Sequence, residues 1–298
     1  MGMGKKKREI VFQIFLTIVF AILCLLILFP FLLMVGVSFS SEADLSQYGY
    51  RLIPVHVSLS AYGYVFANPK SVLNAYGVTF LFSVLAMVAS TFFMALLAYP
   101  LSKKAFIARK QISFYIYFTM LFSGGLVPTY ILITQYLKLT DTIWVYIIPT
   151  LISPWYVFMM RTFFQELPPA IAESAKIDGA SEFTIFFRLI IPMSKPVIAA
   201  VALFMFLGKW NDWMTSMLYI NKENLISLQY LLQRIMNEIE MLQQMSESGS
   251  GALVDLSKIP SETARMAMAV IVAGPALVVF PFFQKYFVKG LTVGSVKG

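Results

Sequence analysis

The sequence predicts an all-α polytopic membrane protein with six transmembrane helices, on three observations. Only 13% of the 298 residues are charged and 59% are hydrophobic, whereas soluble domains contain roughly 25% charged residues. Charge-free runs near the ~20 residues that cross a bilayer recur along the chain. Because a chain in hydrocarbon must satisfy its own backbone hydrogen bonds, each run should be helical. The charge-free runs cover residues 10–41, 71–102, 111–137, 142–160 and 266–284.

A sixth apolar segment, residues 196–220, is long enough to cross a bilayer but contains Lys209 and Asp212. Charged side chains inside a span are costly, and they tend to be functional. Residues 10–288 are predicted to form a single transmembrane domain between a basic amino-terminal segment, 1–9, and a carboxyl-terminal tail, 289–298. The predicted spans are about 10–38, 72–101, 112–136, 142–165, 196–220 and 265–287.

The distribution of lysine and arginine predicts the orientation of the chain. These residues concentrate in the amino-terminal segment, in the loop around residues 103–110, in the segment 166–195 and in the tail. Because cytoplasmic loops are enriched in lysine and arginine, both termini are predicted to be cytoplasmic and residues 221–264 to form an external loop. The first apolar run is too long for a secretory signal, so it is predicted to be an uncleaved helix.

The remaining composition excludes several classes of function. The net charge of +8 follows from the asymmetry of the loops, and no pattern typical of nucleic-acid binding accompanies it. Cys24 is the only cysteine, so no intrachain disulfide is predicted, and we expect it to be a small buried residue. His56 is the only histidine. One histidine without a nearby group of carboxylates predicts neither a metal site nor a catalytic base.

A polar segment separates the fourth and fifth predicted spans. Residues 173–180 read Glu-Ser-Ala-Lys-Ile-Asp-Gly-Ala, and residues 189–192 read Leu-Ile-Ile-Pro. The segment resembles the EAA motif of ABC importer permeases, in which a short cytoplasmic helix docks into a groove on the ATPase subunit. Ser174 stands where the family pattern has its first alanine, and Ile191 precedes the proline where leucine is usual.

The resemblance implies a role for each matching residue. Glu173, Ala175 and Asp178 would lie on the docking helix, where the small Ala175 allows close approach. Gly179 would permit the turn that a side chain would obstruct. Pro192 would end the following helix at the membrane edge, and a second proline four residues later would restart it.

The resemblance extends over almost the whole chain, including residues 123–129, 260–267 and 287–298. The chain is similar to the carbohydrate branch of these permeases, of the maltose-G and lipoprotein-operon type, and resembles one half of a permease heterodimer. In maltose-type permeases the tail reaches into the ATPase dimer. The resemblance therefore implies a coupling role for Gly294 and Lys297 as well.

The family further implies partners and a mechanism. The expected partners are a homologous second permease, a cytoplasmic ABC ATPase dimer, an extracellular or periplasmic solute-binding protein and the lipids of the bacterial cytoplasmic membrane. The expected substrate is a carbohydrate, an oligosaccharide. ATP-driven closure of the ATPases would pull the docking loops together and switch the access of a central cavity. No cofactor is expected in this chain, since ATP and magnesium would be bound by the partner ATPase.

The chain itself is predicted not to be an enzyme. It contains no Gly-x-x-x-x-Gly-Lys-Ser/Thr phosphate loop, and the Gly208-Lys209 dipeptide lacks the leading glycine and lies in a predicted span. The energy for transport would therefore come from the partner.

Two groups of residues are candidates for the substrate pathway. Ser123 and Gly124 belong to a Ser-Gly-Gly-Leu-Val-Pro-Thr stretch that should kink the third span. Interrupted helices tend to border transport pathways, although close packing of helices through small residues is an alternative. The second group comprises Lys209, Trp210, Asn211 and Asp212.

This second group admits two interpretations. As a pathway lining, indole faces would stack on the CH faces of a sugar, and polar groups would meet its hydroxyls. Alternatively, Lys209 and Asp212 form a structural ion pair near the external boundary, with Trp210 and Trp213 in the aromatic belt. The sequence leaves both open.

The predicted external loop contains an amphipathic helix. Apolar residues recur at helical spacing between residues 225 and 245, with polar residues between them. This helix could pack on the rest of the protein or form part of a docking surface for an external partner. The following Ser-Glu-Ser-Gly-Ser-Gly, residues 246–251, is predicted to be a flexible turn.

Two other functional classes compete with the importer hypothesis. A secondary transporter or channel for a small polar solute would need ion-coupling carboxylates, for which Asp212 alone is thin support. A membrane enzyme would need a nucleophile and a base that converge, and the predicted spans contain neither histidine nor paired carboxylates. Co-purification with an ATPase would distinguish the three classes.

Overall fold

The structure, a computed structural model, describes residues 2–247 and 260–294, with side chains for residues 8–245 and 260–284. Within these ranges all regular secondary structure is helical. The α-helices are α1 (Gly2–Ser38), α2 (Glu42–Tyr48), α3 (Ser60–Val65), α4 (Pro69–Ser102), α5 (Arg109–Leu121), α6 (Leu126–Ile131), α7 (Trp144–Ile147), α8 (Pro154–Glu166), α9 (Pro169–Ile177), α10 (Glu182–Ile185), α11 (Ile191–Met193), α12 (Lys195–Trp210), α13 (Met214–Tyr219), α14 (Leu228–Glu247) and α15 (Glu262–Gly294).

Three stretches of helix are long and apolar enough to span a membrane, namely Arg8–Ser38, Pro69–Ser102 and Glu262–Gln284. Three further pairs of helices meet the same measure only if each pair is taken together, because each bends sharply at a short break. The bent pairs are Arg109–Leu121 with Leu126–Tyr136 (115°), Trp144–Thr150 with Pro154–Glu166 (52°), and Glu182–Met193 with Lys195–Trp210 (80°). The described chain therefore offers three spans, or up to six, and the six-span arrangement stays a prediction.

The sharpest bend lies where the sequence predicts a kink. Between α5 and α6 the backbone is non-helical, and Gly125 adopts a φ of +85°. L-residues with a side chain rarely adopt this left-handed region, so glycine is favoured there. Pro128 lies in the first turn of α6, where its missing N–H breaks no helical hydrogen bond.

The chain divides into two compact units. One comprises the described residues up to Pro69 with those from Arg234 to Ala273, and the other comprises Lys70–Gln233 with those from Gly274 onward. In the first unit, α1 exposes apolar side chains all around its most apolar stretch, as a helix surrounded by lipid does. Cys24 is exposed for the same reason, so the prediction that it is buried is wrong.

Glu42 holds the start of α15 in the first unit. Its carboxylate accepts hydrogen bonds from the Ser261 hydroxyl at 3.0 Å, from the Glu262 N–H at 3.2 Å and from the Thr263 N–H at 3.1 Å. The first N–H groups of a helix have no partner within the helix. A carboxylate at this end therefore satisfies them and also interacts favourably with the helix dipole.

The core of the second unit joins α4 to the helices on either side of the polar segment. Met94, Leu101, Met160 and Val201 have no exposed surface and belong to one buried cluster. Helices α8 and α12 contact each other directly. The core thus continues from the predicted spans to the segment that carries the EAA-like motif.

The helix that contains Pro192 ends two residues after this proline and a new helix begins at Lys195, so the predicted break is present. The helical chain runs from Glu182 to Met193 and ends only at Ser194, because residues 186–190 form a wider π turn just before the proline. Pro192 has no N–H, and its ring would clash with a carbonyl of a regular preceding turn. A π turn relieves this conflict. The second proline lies in the first turn of α12, as predicted.

The amphipathic helix of the predicted external loop is α14. Leu228, Leu231, Leu232 and Ile239 are its buried apolar side chains. The helix continues to Glu247, so the first two residues of the predicted flexible turn are helical, and residues 248–251 lie outside the described residues.

The start of α14 provides a test of the fold. Thr79 on α4 is fully buried, and its hydroxyl accepts a hydrogen bond of 2.8 Å from the Leu228 N–H. Thr79→Val keeps the shape but leaves this buried N–H unpaired, at a cost of about 1–3 kcal/mol. We expect a lower thermal midpoint for the purified protein in detergent. Thr79→Ser keeps the hydroxyl and should melt closer to the wild type than Thr79→Val does; equal midpoints for Thr79→Val and the wild type would contradict the assignment.

Candidate functional site

The EAA-like segment forms a short helix, α9, that ends in a Schellman motif. The Ala180 N–H donates to the Ala175 carbonyl at 2.9 Å, and the Gly179 N–H donates to the Lys176 carbonyl at 3.0 Å. Gly179 has a φ of +79°, the left-handed conformation that this motif requires after the last helical residue. Asp178 forms the cap of the helix. The sequence predicts Asp178 on the helix, whereas the structure places it at the cap, one residue after the last residue of α9.

The two faces of α9 differ. Ala172 and Ala175 pack against the buried core cluster, and Ala180 does so after the turn. Glu173 and Ile177 point away from the protein, and Ile177 is 87% exposed. The small residues thus lie between α9 and the core, while a carboxylate and a large apolar side chain form its outer face.

A cluster of charges around Glu182, just after the Gly179 turn, fixes the position of α9. Glu182 forms an ion pair with Lys176 of α9 at 2.7 Å and a second ion pair with Lys103, at the end of α4. The Tyr99 hydroxyl donates to the same carboxylate at 2.9 Å. The Lys103 ammonium also lies 4.2 Å from the centre of the Tyr99 ring. One carboxylate therefore connects α4, α9 and the start of α10.

A cavity of about 380 Å³ lies beside this cluster. Its lining is mostly apolar, with the charged groups of Lys103, Lys176 and Glu182 among it. The Phe183 side chain, which lines it, is 69% exposed. This aromatic ring is an exposed apolar group next to fixed charges, which suits contact with another protein.

Sequence reasoning missed Tyr99, Lys103, Lys176 and Glu182. The Glu182 carboxylate lies 79 positions from Lys103 and 83 from Tyr99 in the chain, so no local pattern relates them. Ile177 carried a usable signal, because it is an isolated large apolar residue between Lys176 and Asp178 in a polar segment.

The charged group in the fifth predicted span is an internal ion pair. The Lys209 ammonium lies 2.7 Å from Asp212, and the side chains are 9% and 13% exposed. The Asp212 carboxylate also accepts hydrogen bonds from the Thr215 N–H at 3.0 Å and from its hydroxyl at 2.8 Å. Asp212 thus joins the end of α12 to the start of α13. This geometry corresponds to the structural interpretation of the pair.

The two tryptophans next to the ion pair, Trp210 and Trp213, differ in their exposure. Trp210 is 1% exposed and its ring contacts Phe206 and Tyr76, so it is not part of a lipid-facing aromatic belt. Trp213 is 42% exposed. Asn211 accepts a hydrogen bond of 3.1 Å from Gln229, which lies near the start of α14.

The other predicted site residues lie elsewhere. Ser123 and Gly124 are exposed at the break between α5 and α6, and no described contact joins them to the Lys209 group. Gly294 is the last residue of α15. Lys297 lies outside the described residues.

The ion pair generates a prediction that tests its structural role. Lys209→Met should lower the amount of folded protein in the membrane, because it leaves a nearly buried Asp212 without its counter-charge, at a cost of about 3–5 kcal/mol. Lys209→Met with Asp212→Asn should recover most of the protein, since asparagine still caps α13. Lys209→Met with Asp212→Leu removes the cap too and should recover less. Equal abundance of all three variants, measured by quantitative immunoblot of membranes, would exclude a structural role.

The Glu182 cluster predicts a local change in α9. Glu182→Gln leaves Lys103 and Lys176 facing each other without a negative charge, so α9 should open more often. Because the groups are partly exposed, we expect roughly fivefold faster hydrogen exchange of the α9 amides, equivalent to about 1 kcal/mol. Glu173→Gln, an exposed carboxylate on the same helix, is the control and should leave exchange unchanged. Equal exchange in both variants would remove the positioning role of Glu182.

The sequence of this chain is similar to those of known transport proteins. Residues 92–293 match the family described as binding-protein-dependent transport system inner membrane component. The chain is 39% identical over 282 residues to the polygalacturonan/rhamnogalacturonan transport system permease protein YtcP of Bacillus subtilis (strain 168), covering 94% of this chain and 95% of the relative. It is 38% identical over 269 residues to protein LplC of the same organism, covering 90% and 89%.

A solved structure has the same fold. The crystal structure of a bacterial ABC transporter involved in the import of the acidic polysaccharide alginate contains a chain that superposes with a TM-score of 0.77 at 28% identity, covering 94% of this chain and 98% of that one. The match of the family model covers more than half of the chain, and the relatives match it over almost their whole length. This chain therefore belongs to the family of binding-protein-dependent transport system inner membrane components.

Proposed function

We propose that this chain is the membrane-spanning permease subunit of an ATP-driven importer for an oligosaccharide. The observation that carries the proposal is the construction of α9: a short helix with an exposed Ile177, backed by alanines on the core and fixed by Glu182. Such a helix can receive a force from a soluble subunit and pass it to the membrane helices. Family membership supplies the importer class.

The coupling step follows from the contacts of α9. An ATPase that holds the outer face of α9, through Glu173 and Ile177, would move Ala175 and the core behind it. The Glu182 cluster would transmit the same movement to α4 and α10. Rigid-body motion of packed helices is a common form of switching between two states. Closure of two ATPases on ATP binding would thereby change the access of the transport cavity.

The proposal includes partners and a location. This chain would pair with a homologous second permease in the bacterial cytoplasmic membrane, with both termini and α9 on the cytoplasmic side. Two ATPase subunits would bind ATP and magnesium, and an external solute-binding protein would deliver the substrate. Gly294 and Lys297 would contact the ATPase dimer. The concentration of basic residues in the predicted cytoplasmic loops supports this orientation.

The names of the relatives support a carbohydrate as the substrate. YtcP is named for the transport of polygalacturonan and rhamnogalacturonan, and the solved transporter imports the acidic polysaccharide alginate. A third relative is an arabinooligosaccharide permease, 28% identical. The Lys209 charge is compensated by Asp212, so this pair gives no support for an acidic sugar in particular. We therefore propose an oligosaccharide and leave its charge to experiment.

A secondary transporter or channel for a small polar solute is the alternative. It would need a carboxylate that is free to bind a coupling ion, and Asp212 was the candidate in the sequence. Its oxygens already accept hydrogen bonds from Lys209 and Thr215. The geometry thus favours the importer.

Gly179 provides the test of the proposed coupling. A Cβ at this position would meet no atom within 4 Å, so a substitution obstructs the turn through the positive φ, at a cost of about 1–2 kcal/mol. Gly179→Ala should lower sugar-stimulated ATPase activity of the reconstituted transporter severalfold, and the bulky exposed side chain of Gly179→Arg should also reduce co-purification of the ATPase.

Gly49 offers a matched control for backbone strain. It has a positive φ of +73° with a ψ of −170°, where alanine is at least as strained as at Gly179, and equally open space around its Cβ, but it lies in the first unit between α2 and α3. Gly49→Ala should leave ATPase co-purification and stimulation unchanged. Wild-type stimulation in well-expressed Gly179→Ala and Gly179→Arg would refute the coupling role of the segment, and absence of any ATPase from the purified wild type would favour the alternative class.

A further inference from the structure

A second cavity, of about 720 Å³, is lined by residues that follow Lys103 in the chain and by Arg161 of α8. We call it the basic cavity. Its described lining contains four cationic side chains and no acidic one. The lining residues are Lys104, Ala105, Phe106, Ile107, Arg109, Lys110, Ser113 and Arg161. Cavities of roughly 300–1,000 Å³ hold small molecules in proteins.

The cations of the basic cavity are not neutralised by the described part of the protein. The described ion pairs involve other lysines and arginines. Arg161 of α8 donates one hydrogen bond, to the Ser113 hydroxyl at 3.1 Å, which leaves most of its fork of five N–H donors for another acceptor. Like charges that share one cavity repel each other, so an anion with several acceptor oxygens would be strongly favoured there.

An apolar stripe begins at this cavity and continues along α5. Lys110, Phe114 and Phe118 follow one another at four-residue spacing along α5, so successive members are neighbours on its surface, and Phe122 is the first residue after the helix. The three phenylalanines are 69%, 45% and 63% exposed. The ring of Phe118 contacts the rings of both other phenylalanines, with centroids 6.4 Å from Phe114 and 4.4 Å from Phe122.

The length of this stripe matches one leaflet of a membrane. From Lys110 to Phe122 a helix rises roughly 18 Å, close to half of the ~30 Å hydrocarbon thickness of a bilayer. Ile107, which lines the basic cavity, is 94% exposed. An apolar side chain this exposed next to lysines and arginines is typical of the membrane interface, where cations meet headgroups and apolar groups meet acyl chains.

We propose that the basic cavity and the Phe114–Phe118–Phe122 stripe form a binding site for an anionic phospholipid. The phosphate would accept hydrogen bonds from Arg161 and Lys110 and be surrounded by Lys104 and Arg109. One acyl chain would lie along the phenylalanines. Basic pockets between membrane helices bind phosphate headgroups in this way. The site is separate from α9, and the inference does not depend on the proposed transport function.

Charge complementarity and the apolar stripe together favour a lipid over the other anions. A free phosphate would use the four cations but leave the phenylalanines exposed. An acidic loop of a partner protein would do the same. A lipid satisfies both parts of the site with one molecule.

The experiment measures lipid binding to the whole purified transporter in neutral detergent. The probe is dioleoylphosphatidylglycerol, with dioleoylphosphatidylcholine as the uncharged comparison, and bound lipid is counted by native mass spectrometry during a titration. We expect saturable binding of the anionic lipid. Lys104→Gln with Lys110→Gln should weaken it roughly 25-fold, since each cation contributes about 1 kcal/mol. Lys70→Gln with Lys138→Gln, two exposed lysines elsewhere, removes the same charge and should not.

Two further arms identify the source of the phosphate. Phe114→Ser with Phe118→Ser should weaken phosphatidylglycerol binding, and radiolabelled inorganic phosphate at the same ionic strength should not compete with the lipid. Competition by inorganic phosphate together with an unchanged serine variant would show a free-anion site and overturn the lipid assignment. Equal loss in both lysine variants, or no phosphatidylglycerol bound to the assembled transporter, would overturn it as well.

Discussion

The structure depends on one constraint: a helix that starts inside or beside a membrane must find partners for its first N–H groups, since hydrocarbon supplies none. The chain breaks its helices repeatedly, and polar side chains accept hydrogen bonds at several of the new starts, two of them from distant positions in the sequence and two from three residues away. Glu42 meets α15, Thr79 meets α14, Asp212 meets α13, and Ser181 accepts from the Thr184 N–H at the start of α10. The breaks are tolerated because acceptors are placed at them.

This constraint also explains how a soluble partner can act on the membrane helices. The polar segment between α8 and α12 is short, and each of its turns is fixed by its own hydrogen bonds, at Gly179 and at Ser181. Glu182 then ties the segment to Lys103 at the end of α4. A force on Ile177 is therefore not absorbed by a loose loop. In the proposed coupling, such a force would reach α4 through the carboxylate and α12 through the π turn and the 80° bend that follow.

The sequence predicts those features that depend on local pattern. Charge-free runs predict where long apolar helices occur, and adjacent glycines predict the break at Gly125. A three-residue spacing allows Lys209 and Asp212 to approach, and they do. The Glu182 cluster and the Thr79 bond could not be predicted, since their partners are tens of residues apart. The π turn at residues 186–190, before Pro192, also has no simple sequence signature.

Acidic and basic side chains have different roles in this structure. Carboxylates act mainly within the fold: Glu42, Glu182 and Asp212 each accept several hydrogen bonds, and Asp141 accepts from the Asn221 and Lys222 N–H groups, which lowers its pKa. Fifteen acidic residues against 23 basic ones cannot neutralise every cation once they are used in this way. Part of the excess lines the basic cavity, where the proposed lipid phosphate would be the acceptor. A chain that uses its acids to hold its helix starts thus has cations left with which to bind the lipid around it.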